Sequence, residues 1–259
     1  MDQTNDFRRT IENNGSVLGA RSSTFSPAVI EIYGELGLDF VWLDFEHMGP
    51  SPYDSTMFEE LTRAADVGGI ELFVRLPSAE PSLVRKVLDT GVRNILIPRI
   101  DDAEEVHKAV KASRFVYENE PGERGMASGR ARTWGLSEDY VSTEDDEVCV
   151  GVMIEKTTAV DNLDEILSVP ELGFVFVGPS DLSVQMGHPT NKNHPDVTAQ
   201  IGEIEDACKS ADVPMGCIAN SPDKIESVVE DGYQIVRMGG DLSAIQDTLA
   251  ERLSEIGEL

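Results

Sequence analysis

Lysine is scarce in this 259-residue chain: 7 Lys stand beside 14 Arg, against 48 acids, for a formal net charge of -27. A surface so poor in cations has no basic stripe to neutralise phosphates, which argues against a nucleic-acid partner. The acids form no long run and 40% of residues are hydrophobic, so this is not a disordered acidic tail. The composition resembles that of proteins from salt-loving organisms, where high salt screens self-repulsion; an ordinary acidic cytosolic protein is the alternative. Cysteine is also sparse. Cys149, Cys208 and Cys217 are odd in number with no close pair, which suggests neither a disulfide framework nor a zinc cluster, but small buried hydrophobes in a reducing compartment. No run of about 18 apolar residues occurs. The opening MDQTNDFRRTIENNGS has no apolar signal-peptide core. The chain is therefore read as soluble and cytoplasmic, with no membrane partner.

Two chemical signatures are missing as well. No G-x-G-x-x-G follows a strand and no G-x-S-x-G occurs, which weighs against a dinucleotide fold and a nucleophile elbow. A Schiff-base enzyme wants a lysine within a strand. The lysines lie in helices or loops except Lys156, which follows Glu155 and is expected to point the other way.

What the chain does have is alternation. Eight short apolar or β-branched runs recur: SVLGAR (16–21), FVWLDF (40–45), LFVRLP (72–77), NILIPRI (94–100), CVGVMIE (149–155), FVFVGP (174–179), PMGCIA (214–219) and QIVRMGG (234–240). Amphipathic segments lie between them, several opening on Ser, Asp or Pro and stopping at Gly, as helix caps do. Eight βα units without a linker predict a single (β/α)8 TIM barrel over residues 1–259, with an open doubly wound sheet as runner-up. Residues 114–148 are too long for a simple connection and predict an excursion with its own short helices.

In such a barrel, catalytic groups come from the C-terminal strand ends and the loops after them. There stand Arg21; Asp44, Glu46 and His47; Arg75; Arg99; Glu155 and Lys156; Ser180 and Asp181; Asn220; and Asp241. Glu155 and Asp181 end consecutive units, so their carboxylates are expected side by side on one rim. Oxygen ligands of this kind suit Mg2+ or Mn2+. The alternative is that Asp181 caps the following helix and Glu155 pairs with an Arg. Arg75 has the planar fork to hold a carboxylate or an enolate oxygen, or else pairs with Glu46 or Asp44. His47 directly follows a strand and can serve as a general base. His107, His188 and His194 are expected at the surface.

These residues resemble a known family, the HpcH/HpaI aldolases, which are class II, metal-dependent pyruvate aldolases. The likeness runs from about Gly15 to Ile245. LDFEHMGPSPYD is similar to the family's D-x-E-H segment, VRLPSAEPSLVRKVLDTGVRNILIPRI to its V-R-P…K-x-L-D-x-G…L-x-P block, and GERGMASGRARTWG to its G-x-R-G loop. VMIEKTTAVDNLDEIL and FVFVGPSDLSVQMGHPTNKNHPDV resemble its metal-carboxylate strands.

The resemblance implies that Glu155 and Asp181 hold a divalent cation, Mg2+ or Mn2+ with Co2+ a further candidate. It implies that Arg75 stabilises an enolate oxygen, that His47 is the acid/base aided by Asp89, and that the Ser180 N–H binds the pyruvate carboxylate. The expected substrates are a small 2-oxo acid and an aldehyde. Met153 departs from the pattern, standing where the family often has Gln two residues before the metal Glu. Substrate identity is thereby in question more than chemistry; aldehyde specificity is expected to depend on loops such as 114–148 and on neighbouring subunits. The family also implies a hexamer with exchanged C-terminal helices, for which DLSAIQDTLAERLSEIG is an amphipathic candidate. A citramalyl- or malyl-CoA lyase and a non-catalytic barrel that binds small acids are the competing readings.

Overall fold

Each of the eight apolar runs forms a strand in the computed structural model, which describes residues 4–256. The strands are β1 (Val17–Arg21), β2 (Phe40–Asp44), β3 (Glu71–Arg75), β4 (Asn94–Ile97), β5 (Cys149–Ile154), β6 (Phe174–Val177), β7 (Met215–Ile218) and β8 (Ile235–Gly240). They pair in chain order, all parallel, and β8 returns to β1 to close a (β/α)8 barrel. Prolines set two of the boundaries. β4 stops before Pro98, and Pro179 opens the helix after β6, because proline offers no N–H to a ladder but fits a first helical turn.

Side-chain alternation divides the apolar residues into two cores. One lies between the sheet and its helices and is mostly aliphatic: Val41, Leu43, Val74, Ile95, Val152 and Val175 face the helices. The other fills the barrel: Val17, Phe40, Trp42, Phe73, Leu96, Met153, Phe174, Phe176 and Ile235. Trp42 stacks on Phe73 at 4.8 Å and meets Phe176 edge-on at 4.9 Å. Gly151 and Gly216 make room for these rings, since a Cβ at either would run into Phe174 or Phe176.

A short helix that sequence periodicity did not single out, Asp6–Glu12, plugs the N-terminal end. Its Phe7 packs at 5.5 Å on both Phe40 and Phe73, while the Asn5 side chain caps it by accepting from the Arg8 N–H. The signal was present in Phe7 and Ile11, one helical turn apart and both buried.

The excursion at 114–148 contains a small hairpin (Val116–Tyr117 with Glu120–Pro121), a 3-10 turn (Arg130–Gly135) and a helix (Tyr140–Glu147). Glu144, fully buried, anchors it by accepting from Arg93 at 2.9 Å and Arg124 at 2.6 Å. This segment connects a helix to the start of β5, so it necessarily lies at the N-terminal end of the barrel. Within one chain it lies away from the C-terminal mouth.

Candidate active site

The C-terminal mouth collects the polar residues as expected, and register explains how. Asp44 and Arg75 are partners on β2 and β3. Arg75 donates from Nε to Asp44 Oδ1 at 3.0 Å and from Nη2 to Oδ2 at 2.6 Å, a two-armed grip in a nearly dry setting. Burial alone would raise the Asp44 pKa. The Arg75 hydrogen bonds and charge, with the backbone N–H groups of His47 and Glu46, outweigh it and hold the carboxyl below its ordinary value.

The third nitrogen of Arg75 points away from Asp44, toward Glu46 and Met153. Nη1 lies 2.9 Å from Glu46 Oε2 and 3.6 Å from Met153 Sδ. The Glu46 contact is an ion pair without hydrogen-bond alignment, since that buried oxygen has no bonded donor. His47 Nε2 stands 3.5 Å from the same oxygen, and its ring is 61% exposed.

Glu155 follows β5 and is 2% exposed. Its Oε1 accepts from the backbone N–H of Arg99 at 2.8 Å, and Arg99 holds a left-handed φ of 60° to present that group. Burial, then the Glu46 charge, raise its pKa; the Arg99 N–H opposes them, Asp181 adds to the rise and Arg75 lowers it. Gly178 leaves the space beside it: a Cβ there would stand 2.7 Å from Glu155 Cβ and 2.9 Å from Oε2. Asp181 lies in the first turn of helix Pro179–Gln185, whose N-cap is Gly178, so Asp181 is not the cap.

The mouth thus combines Glu155 with two further carboxylates, Glu46 and Asp181, whose charges act on it. Acids that repel one another, Glu155 buried, Glu46 half-buried and Asp181 exposed, fit a divalent cation, which would relieve that repulsion. Sequence analysis weighed Glu46 as a partner of Arg75; its charge also acts on Glu155. Lys156 turns away as expected, pairing with Asp101. Asp241 is structural: it accepts from the N–H groups of Ser23 and Thr24, both at 2.9 Å, and ties the β1 loop to β8.

Asp89 stands apart from His47 within this chain. It caps the C-terminal end of helix Pro81–Leu88, on the far side of the barrel, where Tyr140 Oη donates to it at 3.4 Å. No hydrogen bond or ion pair joins it to His47 among the described residues, because a helix that leaves the mouth after β3 ends at the opposite face. Burial raises the Asp89 pKa, opposed mainly by Arg124. Elsewhere, His188 and His194 stack at 3.5 Å beside Asp196. His194 accepts from the Asp196 N–H and caps helix Pro195–Ala211.

Comparison with known proteins decides the family. A model of the HpcH/HpaI aldolase/citrate lyase family matches residues 21–247. The chain belongs to this family. It is 32% identical over 251 residues to a 2-keto-3-deoxy-L-rhamnonate aldolase of Escherichia coli O17:K52:H18 (strain UMN026 / ExPEC), covering 97% of this chain and 92% of that one. A solved HpcH/HpaI aldolase/citrate lyase family protein from Burkholderia cenocepacia J2315 superposes with a TM-score of 0.91 at 30% identity, covering 98% of this chain and 100% of that one. An HpcH/HpaI aldolase from Desulfitobacterium hafniense DCB-2 gives 0.86 at 27% identity, covering 97% and 96%. As a member of this family the chain is a carbon–carbon lyase.

Proposed function

We propose that this HpcH/HpaI family member is a metal-dependent aldolase that cleaves a 4-hydroxy-2-oxo acid into pyruvate and an aldehyde. The observation that carries the reading is one arginine, Arg75, fixed by Asp44 through two arms and presenting its third nitrogen to a mouth that also holds Glu155 and Asp181.

Glu155 and Asp181 would hold the cation, with Mg2+ or Mn2+ favoured by an all-oxygen set and Co2+ a further candidate. Bound there, the cation would supply Lewis acidity toward the 2-oxo acid. The residues divide the remaining work. Arg75 Nη1 is placed for the oxygen that gains charge as the C3–C4 bond breaks, and Asp44 keeps the guanidinium from turning away. Nη1 is paired with Glu46 at 2.9 Å without hydrogen-bond alignment and bonds only the soft, weak acceptor Met153 Sδ, so a substrate oxygen can compete for it. His47, exposed at the rim, takes the proton of the 4-hydroxyl. The Ser180 N–H, in the first turn of its helix, has no partner within the helix and suits the pyruvate carboxylate.

Two properties accompany this reading. Helix Asp241–Ile256 exposes Leu242, Ile245, Leu249, Leu253 and Ile256, an apolar stripe that supports assembly through C-terminal helices, with the family's hexamer the expected form. The charge of -27 supports work in concentrated salt in a cytoplasm. No helix among the described residues is long and apolar enough to cross a membrane. Light scattering in high salt measures the assembly. The decisive assay gives purified protein Mg2+, Mn2+ or Co2+ and follows exchange of the methyl protons of pyruvate, together with pyruvate release from 4-hydroxy-2-oxo acids. Neither exchange nor release with any of the three metals would end the proposal.

A further inference from the structure

Two of the four histidines converge with an acid in the loop that follows the Asp181 helix. His188 stands just beyond helix Pro179–Gln185, His194 caps helix Pro195–Ala211, and Asp196 lies in the first turn of that second helix. Successive turns bring the two rings together. The Asn191 N–H donates to the His188 carbonyl and the His194 N–H to the Asn191 carbonyl, both at 3.0 Å. The His188 N–H donates to the Ser183 carbonyl at 2.7 Å, which hangs the loop from the end of the preceding helix.

One ligand atom from each of the three side chains lies within 4.8 Å of the other two. Asp196 Oδ2 is 3.4 Å from His188 Nε2 and 3.5 Å from His194 Nδ1, and among the described residues neither contact is aligned as a hydrogen bond. His194 Nδ1 accepts from the Asp196 backbone N–H at 3.3 Å, so it presents a lone pair and not a proton. A bare nitrogen and a carboxylate oxygen thus face one another, an arrangement that a cation between them relieves. The rings stack 3.5 Å apart and 14° from parallel. Two imidazolium rings would repel at that distance, so at least one is neutral, the form that binds a metal.

The separations match a coordination sphere. Bonds of about 2.0–2.1 Å to nitrogen and about 2.0–2.2 Å to oxygen, at tetrahedral angles, set ligand atoms about 3.4 Å apart. The two rings must splay from their stack for both lone pairs to meet one ion, and half-buried side chains beside an exposed Asp196 have the room to do so. The donors also select the ion. An acidic surface attracts any cation, but imidazole nitrogens suit Zn2+, whereas Mg2+ prefers oxygen alone. None of the three side chains is among the charges that act on Glu155, which separates this cluster from the carboxylates of the mouth.

We propose that His188, His194 and Asp196 form a zinc site distinct from the mouth, with water as the fourth ligand. The ion ties the end of the helix that carries Asp181 to the start of helix Pro195–Ala211. The site does not depend on the aldolase reading.

Equilibrium dialysis of the full chain against Zn2+ in excess Mg2+ tests it, with Glu155→Gln as the parent so that zinc at the mouth is not counted. The parent is expected to hold one zinc per chain at micromolar free zinc, and zinc should raise its thermal midpoint. Adding His188→Gln or Asp196→Asn should weaken binding by more than about 100-fold, beyond what loss of an outer partner costs, and abolish the rise. His194 is left intact because it caps its helix. No zinc on the parent, uptake only at millimolar zinc as on any acidic surface, or binding unchanged in either variant would overturn the site. A parent midpoint indifferent to bound zinc would overturn the tie between the helices.

Discussion

Asp44 and Arg75 are opposite one another on adjacent strands, and the guanidinium closes on the carboxylate with Nε at 3.0 Å and Nη2 at 2.6 Å. The side chains are 5% and 11% exposed, so each partner left alone would be a nearly buried charge. Asp44→Asn is expected to lower stability by about 3 kcal/mol at neutral pH, the lower range for breaking a buried pair from one side. Because the Asp44 pKa is depressed in the folded protein, its contribution is full above the unfolded value of about 3.9 and disappears as pH falls through the folded value. Urea unfolding of native and variant protein should therefore differ at pH 7 and converge in strong acid. Equal midpoints at pH 7 would refute the structural role.

Removing the proposed cation ligand should be more severe than disturbing its surroundings. Glu155→Gln keeps the shape of the side chain but loses the charge, so pyruvate proton exchange is expected to fall by more than the roughly 100-fold that loss of an outer partner costs. Chelation of the native enzyme should produce the same loss and added Mn2+ should restore it. Exchange that survives both treatments would remove the metal role.

His47 is assigned a proton rather than a structural task, since its ring is largely exposed. His47→Ala should leave the thermal midpoint nearly unchanged while aldol cleavage drops by about 100-fold or more. Full turnover in that variant would rule out His47 as the base.

At the far end of the barrel, Glu71 lines a cleft of about 720 Å3 together with Asp6, Arg93 and Arg130. Burial pushes its pKa up to about 7, against the pull of Arg93. Between the unfolded value of about 4.3 and pH 7 the folded protein retains a proton that the unfolded chain releases, so this group costs stability progressively as pH rises through that window. Glu71→Gln should raise the melting temperature clearly at pH 8 and little at pH 4. A stabilisation equal at both pH values would show that the carboxyl titrates normally.

Phe7 closes the same end, in contact with Phe40, Phe73 and Phe174. Phe7→Ala is expected to cost about 3 kcal/mol or more, because a rigid barrel wall does not collapse around the space left. Denaturant unfolding with a shift much smaller than this would mean that the plug contributes little.

The barrel was legible because its signal is periodic and local. Runs such as FVWLDF and NILIPRI stand out as strands, and their boundaries in the structure differ by only a few residues, at places where Pro98 and Pro179 end the ladder. The rim was legible for a related reason: in a parallel barrel, chain direction alone puts Asp44, Arg75, Glu155 and Asp181 at one end. The position of Asp89 was not legible, because a motif says nothing about which end of a helix its residues occupy. The place of the 114–148 segment likewise follows from connecting a helix to a strand.

The sequence by itself determined the alternation of strands and helices, the single closed barrel and the set of residues at its mouth, because these depend on period and chain direction. Only the tertiary structure decided the pairings: Arg75 gripped by Asp44, Glu46 placed where its charge acts on Glu155, Asp89 bonded by Tyr140, and Arg21 and Arg237 left without an acid. Those relations depend on register between strands distant in sequence and on which charges share a space shielded from water. A one-dimensional pattern does not contain that information.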